Sequence, residues 1–262
     1  MQKTAIPRWF RSLLFLVSLS LLQITVLAEQ KTETPPREQI GVCLGKPVYR
    51  DQLYTNQNIE LNATLQILFG YPVFEEYHQE HQAKFKPTEK EIAAAIAYYS
   101  RDESMIKDCQ EIDKLTQSEL EEIENQLKRS DLKAAERKRL EQRQKQLQRE
   151  LKNGALKEML LIFLECWKFE KHLYLTQGGG GIRSMMFGEE AFDARFKWLE
   201  AQEKLEKFQI TDPELRTLFF EFWTDKNNRG RNITSQDSIQ EFLEPEWLKE
   251  LNADEPLTAK KP

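Results

Sequence analysis

The chain has 262 residues, 40% apolar and 31% charged, with 38 Lys and Arg against 43 Asp and Glu for a formal net charge of −5. This excludes a collagen-like, low-complexity or multi-span membrane protein, and five Trp, seven Tyr and fifteen Phe are enough to build a core. A globally acidic chain is a poor duplex nucleic-acid binder, because neutralising phosphates needs a basic surface.

Lys3, Arg8 and Arg11 precede the apolar run Leu13 to Leu22, broken only by Ser18 and Ser20, and the stretch closes on Val26-Leu27-Ala28. A positive start, an apolar middle and a small last residue read as a secretory signal, residues 1–28, cleaved after Ala28. The 16 residues from Leu13 to Ala28 are short for a span of roughly 20. The expectation is an exported chain, periplasmic or secreted, with no stable membrane span after cleavage. Without its three leader cations it has 35 bases against 43 acids, a net charge of −8. An oxidising compartment permits one disulfide among Cys43, Cys109 and Cys166. Three cysteines without a CxxC are too few for a disulfide scaffold. Three free thiols are the favoured reading, with Cys166 buried in an apolar helix.

Residues 29–39 read as a flexible tether. Ile40 to Val48 alternates as an extended element, with a turn at Gly45-Lys46-Pro47. Asp51 can cap a helix running to about Phe69, with Leu53, Ile59, Leu61, Leu65 and Leu68 on one side; Gly70-Tyr71-Pro72 stops it. Val73 to Phe85 is a short aromatic helix. Thr88 and Glu91 form a capping box at the clearest helix start in the chain, followed by Ile92, Ala95, Ile96 and Tyr99 at helical spacing.

Residues 111–152 hold 21 charges among 42 residues and no aromatic. Leu120, Ile123 and Leu127 fit one helix face, and Leu140, Leu147 and Leu151 a second. Ser130-Asp131 can cap the second helix. Residues 102–126 carry nine acids and two bases, and residues 128–152 ten bases and four acids. Opposite charge on consecutive arms favours folding back as an antiparallel hairpin. The basic arm lacks aromatic interleaving, so a solvated face outweighs a nucleic-acid tail.

Asn153-Gly154 ends the second arm. Ala155 to Leu175 is apolar almost all round and predicts a helix buried at the centre; Lys157, Glu158, Glu165, Lys168, Glu170 and Lys171 argue against a membrane span. Gly178 to Gly181 implies a mobile loop or a tight backbone approach. It is no phosphate loop, since Glu189 and Glu190 follow at the expected helix start. A helix is expected over Glu189 to Phe208. Asp212 caps a further one, with Pro213 at its first position, running through Leu215, Leu218, Phe219, Phe222 and Trp223. Asn227 to Asp237 is a polar loop, and Phe242, Leu243, Trp247 and Leu248 mark a last helix. The chain reads as all-α. Residues 40–110 and 154–251 form a multi-helix core, 111–153 a protruding charged hairpin, and 252–262 a disordered tail.

His78 and His81 lie three apart, not at the four-residue spacing of a helical zinc pair, so a solvated helix is favoured over a metal site. No Gly-x-Ser-x-Gly segment exists, and three histidines give no catalytic constellation at useful spacing. No cofactor is expected.

Ile40 to Leu53, a short strand with a Gly turn leading into a helix, resembles the opening of the SurA-type periplasmic chaperones. Lys86-Pro87-Thr88-Glu89-Lys90-Glu91-Ile92 is similar to a helix start further along their N-terminal domain. The resemblance implies a helical bundle like that domain, recruiting a helix from the far end of the chain. It also implies a module that holds unfolded or extended polypeptide in a groove between helices. The parvulin isomerase pattern is not matched: Gly178 to Met186 shares only its glycines, and His172 is the one nearby histidine. A chaperone-like holding protein without catalysis is therefore the leading expectation, with Tyr98, Tyr99, Phe163 and Trp167 as aromatics near the groove. A structural protein docking a partner through the charged hairpin is the alternative, and a degenerate prolyl isomerase the third.

Overall fold

The computed structural model describes residues 37–53, 60–185, 188–224, 231–233 and 235–254. The expected signal peptide, most of the tether, Ile59 and the end of the tail lie outside them. The described residues divide into two compact units, one holding Pro87–Leu164 and Glu246–Asp254, the other the described residues up to Lys86 and those of Glu165–Pro245.

The second unit corrects the all-α expectation, because the mostly helical chain also carries two small sheets. Strands β1 (Gln39–Cys43) and β2 (Lys46–Tyr49) form a hairpin. Its turn is Leu44-Gly45, with φ of 51° and 73°, the left-handed pair that a two-residue turn of matching twist requires. Strand β5 (Phe208–Ile210) pairs antiparallel with the other edge of β1. Gly41 is obligatory at this junction, since a Cβ there would lie 2.2 Å from the Gln209 carbonyl oxygen. The other sheet has the order β4-β3-β6, from Ile182–Met185 (β3), Gly188–Glu190 (β4) and Arg231–Ile233 (β6). Glu189 and Glu190 thus belong to a strand, and the helix expected there, α8, runs only over Phe192–Lys204. Strands this short carry too little alternation to be read from sequence.

Asp51 does not cap a long helix. It sits in a 3₁₀ turn, Arg50–Gln52, where its carboxylate takes a two-pronged 2.7 Å contact from Arg37. Nor does Gly70-Tyr71-Pro72 stop a helix. Helix α1 (Leu61–Leu65) passes through a π turn, Gln66–Gly70, straight into α2 (Tyr71–Glu80). Where the ladder changes register, a residue without an N–H can be tolerated, so Pro72 fits. The turn is anchored by the buried Gln66 amide, whose Nε2 donates to the Phe219 carbonyl (2.8 Å) and whose Oε1 accepts from Trp223 Nε1 (3.0 Å). Gly70 makes room for that amide: a Cβ there would come within 2.6 Å of Gln66 Oε1. Gly70→Ala is expected to cost about 1–3 kcal/mol by overpacking, read from the shift in urea midpoint at unchanged slope. Helix α3 (Gln82–Phe85) follows.

Helix α9 (Pro213–Thr224) starts as expected, with Asp212 Oδ1 accepting from the amides of Glu214 (3.0 Å) and Leu215 (3.2 Å). Its Phe219, Phe220 and Trp223 join Phe69, Phe74, Phe192, Trp198 and Phe208 in one buried aromatic core. Helix α10 (Gln236–Leu243) completes this unit.

The first unit is helical. Helix α4 (Glu89–Tyr99) has the expected capping box: the Glu91 amide donates to Thr88 Oγ1 (3.2 Å) and the Thr88 amide to Glu91 Oε2 (2.7 Å). Helices α5 (Glu103–Leu127) and α6 (Ala134–Asn153) fold back as the charged hairpin. Leu120, Ile123 and Leu147 are buried along its seam, flanked by Leu127, Leu140 and Leu151. Arg143 bridges the arms through a two-pronged contact with Glu119 at 2.8 Å. Ser130-Asp131 does not cap α6, which starts after Lys133; Asp131 is held by Arg129 at 2.7 Å instead. Gly154 ends α6 at φ 79°. Asp113 then caps the start of α7 (Ala155–Thr176) by accepting from the Ala155 amide at 2.8 Å. Helix α11 (Glu246–Asp254) packs on α4, with Arg101 clamping Glu250 at 2.8 Å.

Helix α7 is not buried all round. Leu160, Leu164 and Leu173 are buried, but Ile162 and Leu175 are exposed, and so is Cys166, against expectation. All three cysteines are free.

Candidate functional site

The most unusual chemistry lies where α7, β4 and α8 meet. Glu170 of α7 is buried, yet its carboxylate is satisfied: it accepts from the Ala191 amide (2.9 Å) and from Arg195 Nε (3.0 and 3.1 Å), with a further bond from Arg195 Nη2. The other side of the guanidinium, Nη1, stands 3.3 Å from Glu190. Its central carbon lies 4.9 Å from the Phe74 ring and 5.5 Å from the Trp223 ring. Desolvation acts to lower the Arg195 pKa, but Glu170 and Glu190 more than reverse it, so the cation persists. Two carboxylates thus share one guanidinium. Glu170 holds the better geometry, and burial, together with the charge of Glu170, raises the pKa of Glu190 despite Arg195.

The rim of this cluster is partly open. Tyr71, at the start of α2, is 46% exposed. Burial of its hydroxyl end, then the charge of Glu190, raises its pKa. Cys166 feels the same cluster: desolvation, then Glu170, pushes its thiol up to about 11. Such a thiol is protonated at neutral pH and is a weak nucleophile.

The glycine run positions the cluster. Gly178, Gly179 and Gly180 have φ of 78°, 66° and 117°. A Cβ on Gly180 would lie 2.5 Å from the Asp193 Cβ, and the Gly181 amide donates to Asp193 Oδ2 at 2.6 Å. Of the two expectations for these glycines, the tight backbone approach is the one observed. It ties the loop to the first turn of α8 and leads into the β3–β4 hairpin that carries Glu190.

All three histidines gather elsewhere in this unit. His172 Nε2 is 3.0 Å from the Tyr77 hydroxyl, His81 Nδ1 is 2.9 Å from the Tyr77 carbonyl, and His78 Nε2 is 3.4 Å from Glu165. Their rings pack against Tyr77, Phe85 and Phe169. His78 and His81 are thus half-buried on aromatic faces rather than on a solvated helix. Among the described residues, no group of three or more His, Cys, Asp or Glu could hold a metal ion.

Burial, then Lys84 and His81, lowers the His172 pKa below its ordinary 6.5. A lowered histidine pKa means the unfolded chain binds the proton more tightly. Its contribution to stability is therefore complete above about pH 6.5 and is lost as the pH falls through that value. Glu189 and Glu190, whose pKa values are raised, pull the other way, so a comparison isolates the histidine. His172→Gln is expected to lose less stability than the parent chain between pH 7.5 and 5.5, measured by urea denaturation at both values. Equal losses would rule the effect out.

Of the aromatics expected near a groove, Tyr98, Tyr99 and Phe163 come together. Tyr98 and Tyr99 meet edge-on at 5.1 Å, and Tyr99 and Phe163 at 6.0 Å. All three are half-buried, and Tyr99 packs on Met105 and Cys109. Trp167 belongs to the other unit, where it is buried and donates Nε1 to the Phe242 carbonyl at 2.7 Å. Sequence reasoning missed Glu170, Glu190 and Arg195. Glu170 follows Trp167 and Phe169 on an apolar helix, and Arg195 stands between Phe192 and Phe196. A charge inside an apolar stripe was the available signal.

Fold and site together define a mostly helical protein with two small sheets and a buried carboxylate–guanidinium–carboxylate cluster. No family model, curated protein or solved structure matches the chain.

Proposed function

We propose that this chain is an exported, chaperone-like protein that holds unfolded or extended polypeptide without catalysis. The observation that carries this reading is the pair Ile67 and Tyr71, which are 52% and 46% exposed. They stand one turn apart in the Gln66–Tyr71 segment, where the π turn sets their direction, and π turns are frequent at functional sites. Tyr71 adjoins the polar rim at Glu190. An extended chain presents both apolar side chains and unpaired amides, and this rim offers partners for each. Support also comes from the resemblance of the opening strand, its Gly turn and the Thr88–Glu91 helix start to SurA-type chaperones. Tyr98, Tyr99 and Phe163 provide a second half-buried aromatic cluster for clients. Export rests on residues 1–28, outside the described residues. Among the described residues, no helix is long and apolar enough to cross a membrane.

The test is aggregation of a chemically unfolded protein with and without the chain from Glu29 on. Suppression near one-to-one amounts is expected. Ile67→Ser with Tyr71→Ser should remove most of it at unchanged circular dichroism. No suppression by the parent chain, or full suppression by the double variant, would overturn the reading. Prolyl isomerisation is expected to stay at the background rate.

A further inference from the structure

The α5–α6 hairpin carries an unused surface of a different kind. Its apolar seam is closed by Leu120, Ile123, Leu127, Leu140, Leu147 and Leu151, and among the described residues Leu115 is the one large apolar side chain of the two helices left exposed. Charge dominates the rest of the surface. Lys138, Lys145, Arg149 and Lys152 are exposed, and none makes an ion pair among the described residues. Their spacing puts them on the side of α6 opposite Leu140, Leu147 and Leu151. They form a straight edge of four cations about 21 Å long. On α5, Glu121 and Glu122 are exposed, and among the described residues they accept from Gln117 and Gln126 of their own helix alone. Residues 102–126 sum to −7 and residues 128–152 to +6.

We propose that the hairpin is a self-association surface, on which the basic edge of α6 docks along α5 of a second copy of this chain, at Glu121 and Glu122. The charges of the two arms nearly cancel, and the complementary arm is present on every copy. A nucleic acid fits less well. The chain is acidic overall and repels a polyanion at long range, and residues 111–152 hold no aromatic to stack on bases. A lipid surface also fits less well, because no large apolar side chain of α6 is exposed to enter the interface. The basic and acidic edges are different surfaces of one hairpin, so two copies that exchange both contacts close as a pair, while a copy docked through one edge leaves the other free; in either case association grows with concentration.

Sedimentation of the chain from Glu29 on tests this at about 20 mM and about 0.5 M salt, where screening lengths differ several-fold. At low salt the average mass should rise with concentration; at high salt it should stay at one chain. Lys145→Glu with Arg149→Glu should abolish the rise, and so should Glu121→Lys with Glu122→Lys. Mixing these two double variants should restore it, because each then carries the charge that the other needs. Circular dichroism confirms that both hairpins remain helical. A parent chain that stays monomeric at low salt, variants that associate as it does, or a mixture that fails to associate would each overturn the proposal. So would an α6 edge that binds only anionic vesicles or an oligonucleotide.

Discussion

Arg195→Met is expected to destabilise the chain by about 3–5 kcal/mol, the cost of removing one partner from a buried ion pair. The loss comes from what is left behind. Glu170 is almost fully buried, and in the variant its carboxylate keeps only the Ala191 amide. Glu190 loses the cation of Arg195, which opposes its burial. The guanidinium also packs against Phe74 and Trp223, and Met replaces some of that contact but none of the charge. Adding Glu170→Gln should recover a large part of the loss, because a neutral amide is cheaper to bury without a cation. Urea denaturation of the parent, both single variants and the double variant gives the coupling. Additive effects would mean that the pair does not act as a unit.

Phe219→Ala is expected to cost a similar amount, about 3–5 kcal/mol. Phe219 is fully buried and meets three other rings: Phe69 at 6.4 Å, Phe208 at 5.3 Å and Phe220 at 5.0 Å. It joins α9 to the π turn and to β5, so little nearby can collapse into the space. Its carbonyl also takes the Gln66 amide, which the substitution leaves in place, so the loss measures packing. Thermal unfolding should fall by several degrees with no change in the far-ultraviolet spectrum of the folded state. A loss under about 1 kcal/mol would show that the core refills the cavity.

The two effects differ in how far the sequence foretold them. Phe219 lies in an apolar pattern with Leu215, Leu218 and Phe222, and a core role follows from that spacing alone. Arg195 shows only a charge between Phe192 and Phe196, which marks it as unusual but names no partner. Its partners come from α7 and β4, and what makes the cluster is their meeting. Tyr71 shows the same limit. Gly70-Tyr71-Pro72 reads locally as a helix stop, yet Gln66 reaches Phe219 and Trp223 far along the chain and holds the helix through it.

What the sequence by itself determined is what neighbours along the chain decide. The capping box at Thr88 and Glu91, the Asp212-Pro213 start, the Gly154 stop and the folded-back charged arms all rest on groups a few residues apart or on two consecutive helices. Only the tertiary structure decided the rest. Strand β5 is three residues long and exists because β1 lies beside it. Asp51 turns to Arg37 rather than to a helix end. Cys166 is exposed although its neighbours along α7 read as a buried apolar helix. The Glu170–Arg195–Glu190 cluster persists because buried charges are tolerable only when distant parts of the chain bring opposite charges together.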